Sequence, residues 1–268
     1  MLRSPAATLI ENGLQQEPGV VVRDSFVHPT ATIGKDVRIG CGVVIKAFVV
    51  IDDGAEIGDG AEIGPHVSIG PLVRIGSGTV IHPHVTIRER VRVGRNVTIN
   101  SGSILGSDGF GYANNSGVNH KVPQMGTVEI EDDVWIGSNV SIDRATVGAT
   151  RVKRGARIEN LVQIGHNVEI GEQTVIRPHV GIAGSTSIGA ESYIGEKVGI
   201  VGHIKIGNNV RIHPFSGISK GLSDDESVMG VPARPFEMER SLQALVQELP
   251  DIVRDLQQLR RKLAVERR

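Results

Sequence analysis

Residues 51–87 read IDDGAE IGDGAE IGPHVS IGPLVR IGSGTV IHPHVT I, with isoleucine at every sixth position. Working outward, an aliphatic residue keeps that spacing without a miss from Val27 through Ile33, Ile39 and Ile45 to Ile99 and Leu105. The register returns at Ile130, Ile136 and Ile142, slips near Val147, and runs again from Val152 through Ile158 and Ile164 to Ile218. Six fits neither a 3.6-residue helix nor a heptad, but it is a multiple of two, so each repeat sends its isoleucine to one side of a short strand. The position two before is usually small or aliphatic (Val37, Val43, Ala55, Val67, Val85), which adds a second inward side chain. Three residues after each isoleucine come Asp36, Gly54, His66, His84, Asn96, Asn167, His179, His203 or Asn209, types suited to the left-handed backbone of a tight corner. Each hexad is therefore one wall and one corner.

This pattern resembles the hexapeptide-repeat proteins, and the resemblance implies an all-β solenoid, a left-handed parallel β-helix with three hexads per coil. The hexads then make roughly ten coils and a prism about 45 Å long at ~4.8 Å per coil. Composition agrees: 34 glycines and only eight aromatics among 268 residues suit an interior of stacked Ile and Val. The 29 Lys and Arg nearly cancel the 30 Asp and Glu, which removes the basic field of a nucleic-acid binder and the charge excess of a disordered chain. The single cysteine, Cys41, excludes an internal disulfide and points to a reducing compartment. No apolar run reaches the length of a signal peptide core or a membrane span, so a cytoplasmic protein without stable membrane insertion is expected.

Three domains follow: a short N-terminal extension at 1–26, the β-helix at 27–220 with a loop inserted at 106–128, and a C-terminal helical region at 221–268. The loop, with Phe110, Tyr112 and Met125, is a long excursion from a rigid scaffold and reads as functional. In the last region Leu242, Leu245, Leu249, Ile252, Leu256, Leu259 and Leu263 form a 3-4 seam, which Pro250 is expected to divide into two helices. Arg254, Arg260, Arg261, Lys262, Arg267 and Arg268 make its end basic, fit to dock an acidic protein or simply a solvated face.

Nine histidines raise the question of a metal. His66, His84 and His179 each sit in a Pro-His-Val triplet at a corner, which makes them architecture. His82 beside His84 suits zinc only if several chains converge, as in the gamma-class carbonic anhydrases of this fold. His166 differs, because Asn167 already fills its corner, and Gly184 and Gly202 stand one and two coils further along. An imidazole next to open space and a main-chain N–H suits acyl transfer to an amine: the base takes the nitrogen's proton and the N–H holds the charge on the thioester oxygen. Unperturbed imidazole titrates near ~6.5, so it is available as a base at neutral pH.

The segments 106–112 (GSDGFGY), 160–167 (NLVQIGHN), 181–186 (GIAGST), 202–204 (GHI) and 230–233 (GVPA) resemble, in order, landmarks of the UDP-3-O-acylglucosamine N-acyltransferases of lipid A biosynthesis. The resemblance implies His166 as general base, Gly184 as oxyanion donor, and His203 as a second histidine contacting the donor's phosphopantetheine. It also implies substrate contacts from Asn160, Gln163, Asp108, Phe110, Tyr112 and Gly202. The donor would be a 3-hydroxyacyl chain on acyl carrier protein and the acceptor the amine of a UDP-linked glucosamine, with no metal or dissociable cofactor. Two departures stand out: the family's N-terminal nucleotide domain of roughly a hundred residues has no counterpart before the first hexad, and Glu159 replaces the family's usual Asp, a carboxylate expected to support the imidazole. Outward side chains such as Val50, Val73 and Val162, with the unpaired heptad seam, predict a homotrimer. An acetyl-CoA-dependent N-acetyltransferase of nucleotide-linked amino sugars and a non-catalytic trimeric scaffold are the competing readings.

Overall fold

The structure, a computed structural model, describes residues 21–266, with side chains from Asp24 to Arg260. The first 20 residues of the expected N-terminal extension, and the side chains of Arg261, Lys262, Leu263, Arg267 and Arg268, lie outside the described residues. The chain winds as a left-handed parallel β-helix of about eleven turns and ends in a helix. Three sheets of 10, 12 and 10 strands are its walls, and along most of the solenoid each strand pairs with the strands one coil before and one coil after it.

The eighteen-residue coil is visible in the register. On the first wall Ile39 aligns with Ile57, and Ile75 with Val93. On the third wall Ile164 aligns with Ile182 and Ile182 with Ile200, while Ile142 aligns with Ile164 across a coil four residues longer. Every hexad isoleucine from Ile45 to Ile218 is buried, as are Val37, Val43, Val67 and Val85, so each coil contributes a layer of aliphatic side chains and aromatic rings are not needed inside. Ile158→Ala is accordingly expected to cost about 2–5 kcal/mol in denaturant unfolding, because neighbouring layers are too regular to close the void.

All the corner residues predicted above have positive φ, among them His66 (59°), His84 (62°), Asn167 (59°) and His203 (61°). So do Phe48, Leu72, Gln173 and Phe215, which intrinsic preference would not place there. The scaffold overrides preference, because each corner N–H is tied to the previous coil: His66 N–H donates to Ala47 O at 3.1 Å and Phe215 N–H to Glu196 O at 3.0 Å. Phe48, His66 and His84 stack along one corner at 5.0 Å between ring centroids, which fits the architectural reading of those histidines.

Several boundaries move. The strand Val21–Arg23 already pairs with Arg38–Cys41, so the coil begins before residue 27. At the other end Ser227–Met229 pairs with Arg211–Ile212, so the solenoid passes residue 220 and only Phe236–Glu266 is helical (α1). Leu222 and Val228, six apart and both buried, are a further hexad shifted by two positions. Pro250 lies inside α1 and does not divide it. It deprives the Val246 carbonyl of its donor, but that stretch is exposed and the carbonyl is open to solvent.

The expected insert at 106–128 narrows to a β-hairpin arm, Tyr112–Asn115 against Val118–Lys121, because the third wall continues through Asp108 and the first wall resumes at Thr127. Of the residues expected to face outward, Val50 does, but Val73 and Val162 are buried. They stand two before an isoleucine and so share its inward direction.

Candidate functional site

The third wall ends, at its corner with the first wall, in a column of residues two beyond each isoleucine. Here Arg144, His166, Gly184 and Gly202 follow one another up the prism. His166 is half-buried between two glycines. A Cβ on Gly184 would meet His166 Nε2 at 2.5 Å, and one on Gly109, at the root of the arm, would meet His166 Cβ at 2.6 Å. The ring therefore fits only because both positions lack a side chain.

The neighbouring amide sets the tautomer of the neutral ring. Asn167 Oδ1 accepts from Thr146 N–H at 2.9 Å and Asn167 Nδ2 donates to Val147 O at 2.9 Å, which fixes the amide's orientation. The same Oδ1 lies 3.2 Å from His166 Nδ1, so Nδ1 carries the proton and Nε2 keeps its lone pair.

At several other corners the backbone N–H at this hexad position is capped by a side chain of the next coil. Asp53 caps Lys35 at 2.7 Å, Asp59 caps Cys41 at 2.8 Å, and Asn208 caps Ala190 at 2.9 Å. The next-coil residue above Gly184 is Gly202, which has nothing to cap with. On the other side a Cβ at Gly165 would stand 2.8 Å from Gly184 N, but residue 165 is also glycine. The Gly184 N–H thus has no acceptor among the described residues and lies open beside the imidazole.

Away from this corner the third wall is floored by glycine. Gln163, Gly181, Gly199 and Gly217 stand in register, and a Cβ at Gly181 or Gly199 would meet nothing within 4 Å. With Ile182, Ile200, Val201, Val231 and Pro232 they form an apolar groove of about 760 Å³ that runs from Gln163 towards the root of α1. A second groove, about 550 Å³, lies on the first wall among Arg38, Glu56 and Arg74, far from the imidazole and crossed by their ion pairs.

The arm is fastened at its root. Arg144, almost wholly buried, donates to Gly106 O at 2.8 Å and to Glu89 Oε1 at 2.6 Å. Burial pushes the Glu89 carboxyl up, but the Arg144 bond and charge outweigh this and hold it below its ordinary range. Gln124 Oε1 accepts from Thr146 Oγ1 at 2.9 Å. Asp108 is paired with Lys121, which keeps its carboxyl below the usual range. Beyond the root Phe110 (80% exposed) and Tyr112 (52%) lie 5.4 Å apart with nothing covering them.

The sequence-predicted residues therefore divide. His166, Gly184 and Gly202 share one corner, Gln163 borders it, and the stretch from Asp108 through Phe110 to Tyr112 leaves from it. His203 is an exposed corner residue two coils, roughly 10 Å, beyond Asn167. Glu159 and Asn160 stand at the opposite edge of the third wall. Glu159 Oε1 accepts from Arg177 at 3.5 Å and makes no hydrogen bond with His166, while Asn160 Oδ1 accepts from Ser138 N–H at 2.8 Å as another corner cap. The buried carboxylate on the same wall, one coil before the imidazole, is instead Asp143, which sequence reading missed. The signal was present: the slip between Ile142 and Val152 marks a widened corner, and Asp143 begins it. Among the described residues no group of three His, Cys, Asp or Glu converges on a metal position, and no helix is long and apolar enough to cross a membrane.

Comparisons with known proteins agree with this fold. The Bacterial transferase hexapeptide (six repeats) family matches residues 36–73, 72–107, 149–184 and 185–220, together more than half of the chain. UDP-3-O-acylglucosamine N-acyltransferase of Methylacidiphilum infernorum is 49% identical over 246 residues, 92% of this chain and 68% of that protein. The Desulfotalea psychrophila enzyme of the same name is 51% identical over 168 residues, 62% of this chain; the match spans about half (49%) of that relative's length. Among solved structures, Francisella novicida UDP-N-acetylglucosamine acyltransferase is 25% identical with a TM-score of 0.62, covering 80% of this chain and 69% of that one. The Arabidopsis enzyme, at 19% identity and a TM-score of 0.60 over 83% of this chain and 74% of its own, shares the fold. With a hexapeptide solenoid, an imidazole seated on glycine at its corner and near-half identity over almost its whole length, this chain belongs to the UDP-3-O-acylglucosamine N-acyltransferase family.

Proposed function

We propose that the protein is an N-acyltransferase that moves a 3-hydroxyacyl chain from the phosphopantetheine thioester of acyl carrier protein to the amine of a nucleotide-linked glucosamine. One observation carries this reading: an imidazole whose Nδ1 faces Asn167 Oδ1 lies with its Nε2 against Gly184, beside a backbone N–H that nothing among the described residues caps. His166 Nε2 takes a proton from the amine as its nitrogen attacks the thioester carbonyl carbon. The Gly184 N–H donates to the oxygen as it becomes negative. Collapse re-forms the carbonyl and breaks the C–S bond, and the imidazolium returns its proton to the departing sulfur. The glycine-floored groove takes the acyl chain, and Phe110 and Tyr112 offer ring faces to the acceptor at the mouth.

Two features support a homotrimer. The outward residues of the third wall (Thr32, Val50, Ser68, Thr86, Ile104, Ser141, Gln163) carry no charge, whereas the first wall carries Arg38, Glu56, Arg74, Arg92, Glu129 and Arg151 in succession. A neutral face is cheap to dehydrate against a copy of itself, a charged ladder is not. On α1, Leu245, Leu249, Ile252, Leu256 and Leu259 are all exposed in the single chain, a seam for further copies. Light scattering at micromolar concentration is expected to give three times the chain mass.

A panel of acyl carrier thioesters and acyl-CoAs, each offered with several amino sugars and read by product mass, tests the chemistry. Transfer from carrier-bound 3-hydroxyacyl chains to a UDP-linked glucosamine is expected. Faster turnover of acetyl-CoA than of any carrier thioester would install the acetyltransferase reading, and no transfer at all the scaffold.

A further inference from the structure

Asp143 is 9% exposed and sits at the root of the arm, in the strand Ser141–Arg144 one coil before the base. Its Oδ1 accepts from Ser107 Oγ at 2.9 Å and its Oδ2 from Gln163 Nε2 at 3.0 Å. The pairing of Ser141 with Gln163 and Ile142 with Ile164, carried one step on, puts it beside Gly165, next to the base. Both donors are neutral. Among the described residues no cation bonds to this carboxylate: the adjacent Arg144 turns Nε to Gly106 O and Nη1 to Glu89, and its buried Nη2 has no partner. Burial pushes its carboxyl up, against the two donors and the attraction of His166, which pull it down. A buried carboxylate normally needs a cation, and this one has beside it a base that becomes a cation during turnover.

We infer that Asp143, held by Ser107 and Gln163, is the counter-charge for the His166 imidazolium and thereby a positioning residue of the acyl-transfer site. No proton passes through it. The carboxylate stays ionised while the imidazole takes the amine's proton and returns it to sulfur. The other groups around the imidazole do not substitute for it. Asn167, on the same coil, is neutral. Arg144, on the preceding coil, opposes the imidazolium and is neutralised by Glu89, itself also met by Arg88 at 3.3 Å. Asp108, from the arm, is neutralised by Lys121, and the following coil offers Gly184, without charge.

The effect on turnover rests on the N-acyltransferase reading, but the effect on the imidazole does not, and this separates the two. In the intact chain, NMR titration of His166 in wild type and Asp143→Asn is expected to show the midpoint falling by about one pH unit, the sign for removing a nearby negative charge. With the preferred substrates, kcat falls about tenfold or more with KM changed less than about twofold, the acid limb of kcat/KM moves down in pH by the same shift, and Asp143→Glu restores part of both. If Asp143→Asn does not fold, Ser107→Ala must lower the midpoint in the same direction by a smaller amount. An unmoved midpoint in the folded variant overturns the inference, even if acyl transfer is confirmed. A shifted midpoint in a protein that acylates no amino sugar leaves the counter-charge standing and sinks the N-acyltransferase reading.

Discussion

His166→Ala is expected to lower kcat by about 10²-fold to 10⁴-fold with little change in melting temperature. The ring lies at a half-buried corner between Gly109 and Gly184, outside the stacked Ile and Val, so its loss removes the proton acceptor and leaves the prism intact. His84→Ala is the matched control. That residue also occupies a corner, but its imidazole stacks on His66 at 5.0 Å on the far edge of the third wall, and its loss should leave turnover within a fewfold. Equal, modest losses in both variants would refute the assignment. His203→Ala should fall between them and act mainly on the KM for the acyl donor, because it stands up the column from the imidazole without touching it.

Gly184→Ala is the second large effect, at least about 10²-fold in kcat, from the addition of one methyl group. Gly184 does not have the left-handed backbone of Gly54 or Gly78, so alanine strains no torsion there. What the new Cβ meets is the imidazole, at 2.5 Å from Nε2 and 2.7 Å from Cε1. The ring must rotate off the corner, which breaks its bond to Asn167 and carries the lone pair away from the open N–H. Gly199→Ala, one coil beyond and with nothing within 4 Å of the added atom, should melt like wild type and retain the His166 titration. A Gly184→Ala enzyme within a fewfold of wild type would show that neither the ring's seat nor the exposed N–H matters.

The fold was legible because its information is one-dimensional. A period of six with Ile at one phase dictates wall, corner and interior together, and nothing distant in sequence has to be guessed. His166 was legible by exception, as an imidazole one place before a corner already filled. What the repeat could not disclose lies where the repeat fails. Asp143 and Arg144 open the four-residue slip between Ile142 and Val152, and the arm's root closes over them. Their partners Ser107, Gln163 and Glu89 come from three other coils, so no spacing announces the cluster. The misplacement of Val73 and Val162 was avoidable, since the strand period of two already sends them inward. Glu159 was carried over by likeness of position, whereas within one chain Arg177 occupies it at the other edge of the wall.

The regular pairing, in which each hexad bonds only to hexads one coil before and after, makes the molecule a staircase of interchangeable storeys. Gly184, Gly202 and Lys220 follow His166 at intervals of eighteen residues, so the climb from the imidazole towards the foot of α1 is a whole number of storeys. Excising or duplicating one eighteen-residue unit would change that climb by about 4.8 Å and leave every remaining corner in phase. Shorter insertions are absorbed at a corner, as the slip between Ile142 and Val152 is, and leave the climb unchanged. Separation between the reacting corner and the terminal helix is therefore inherited in integers, and a lineage can reset it in a single genetic step without redesigning either end.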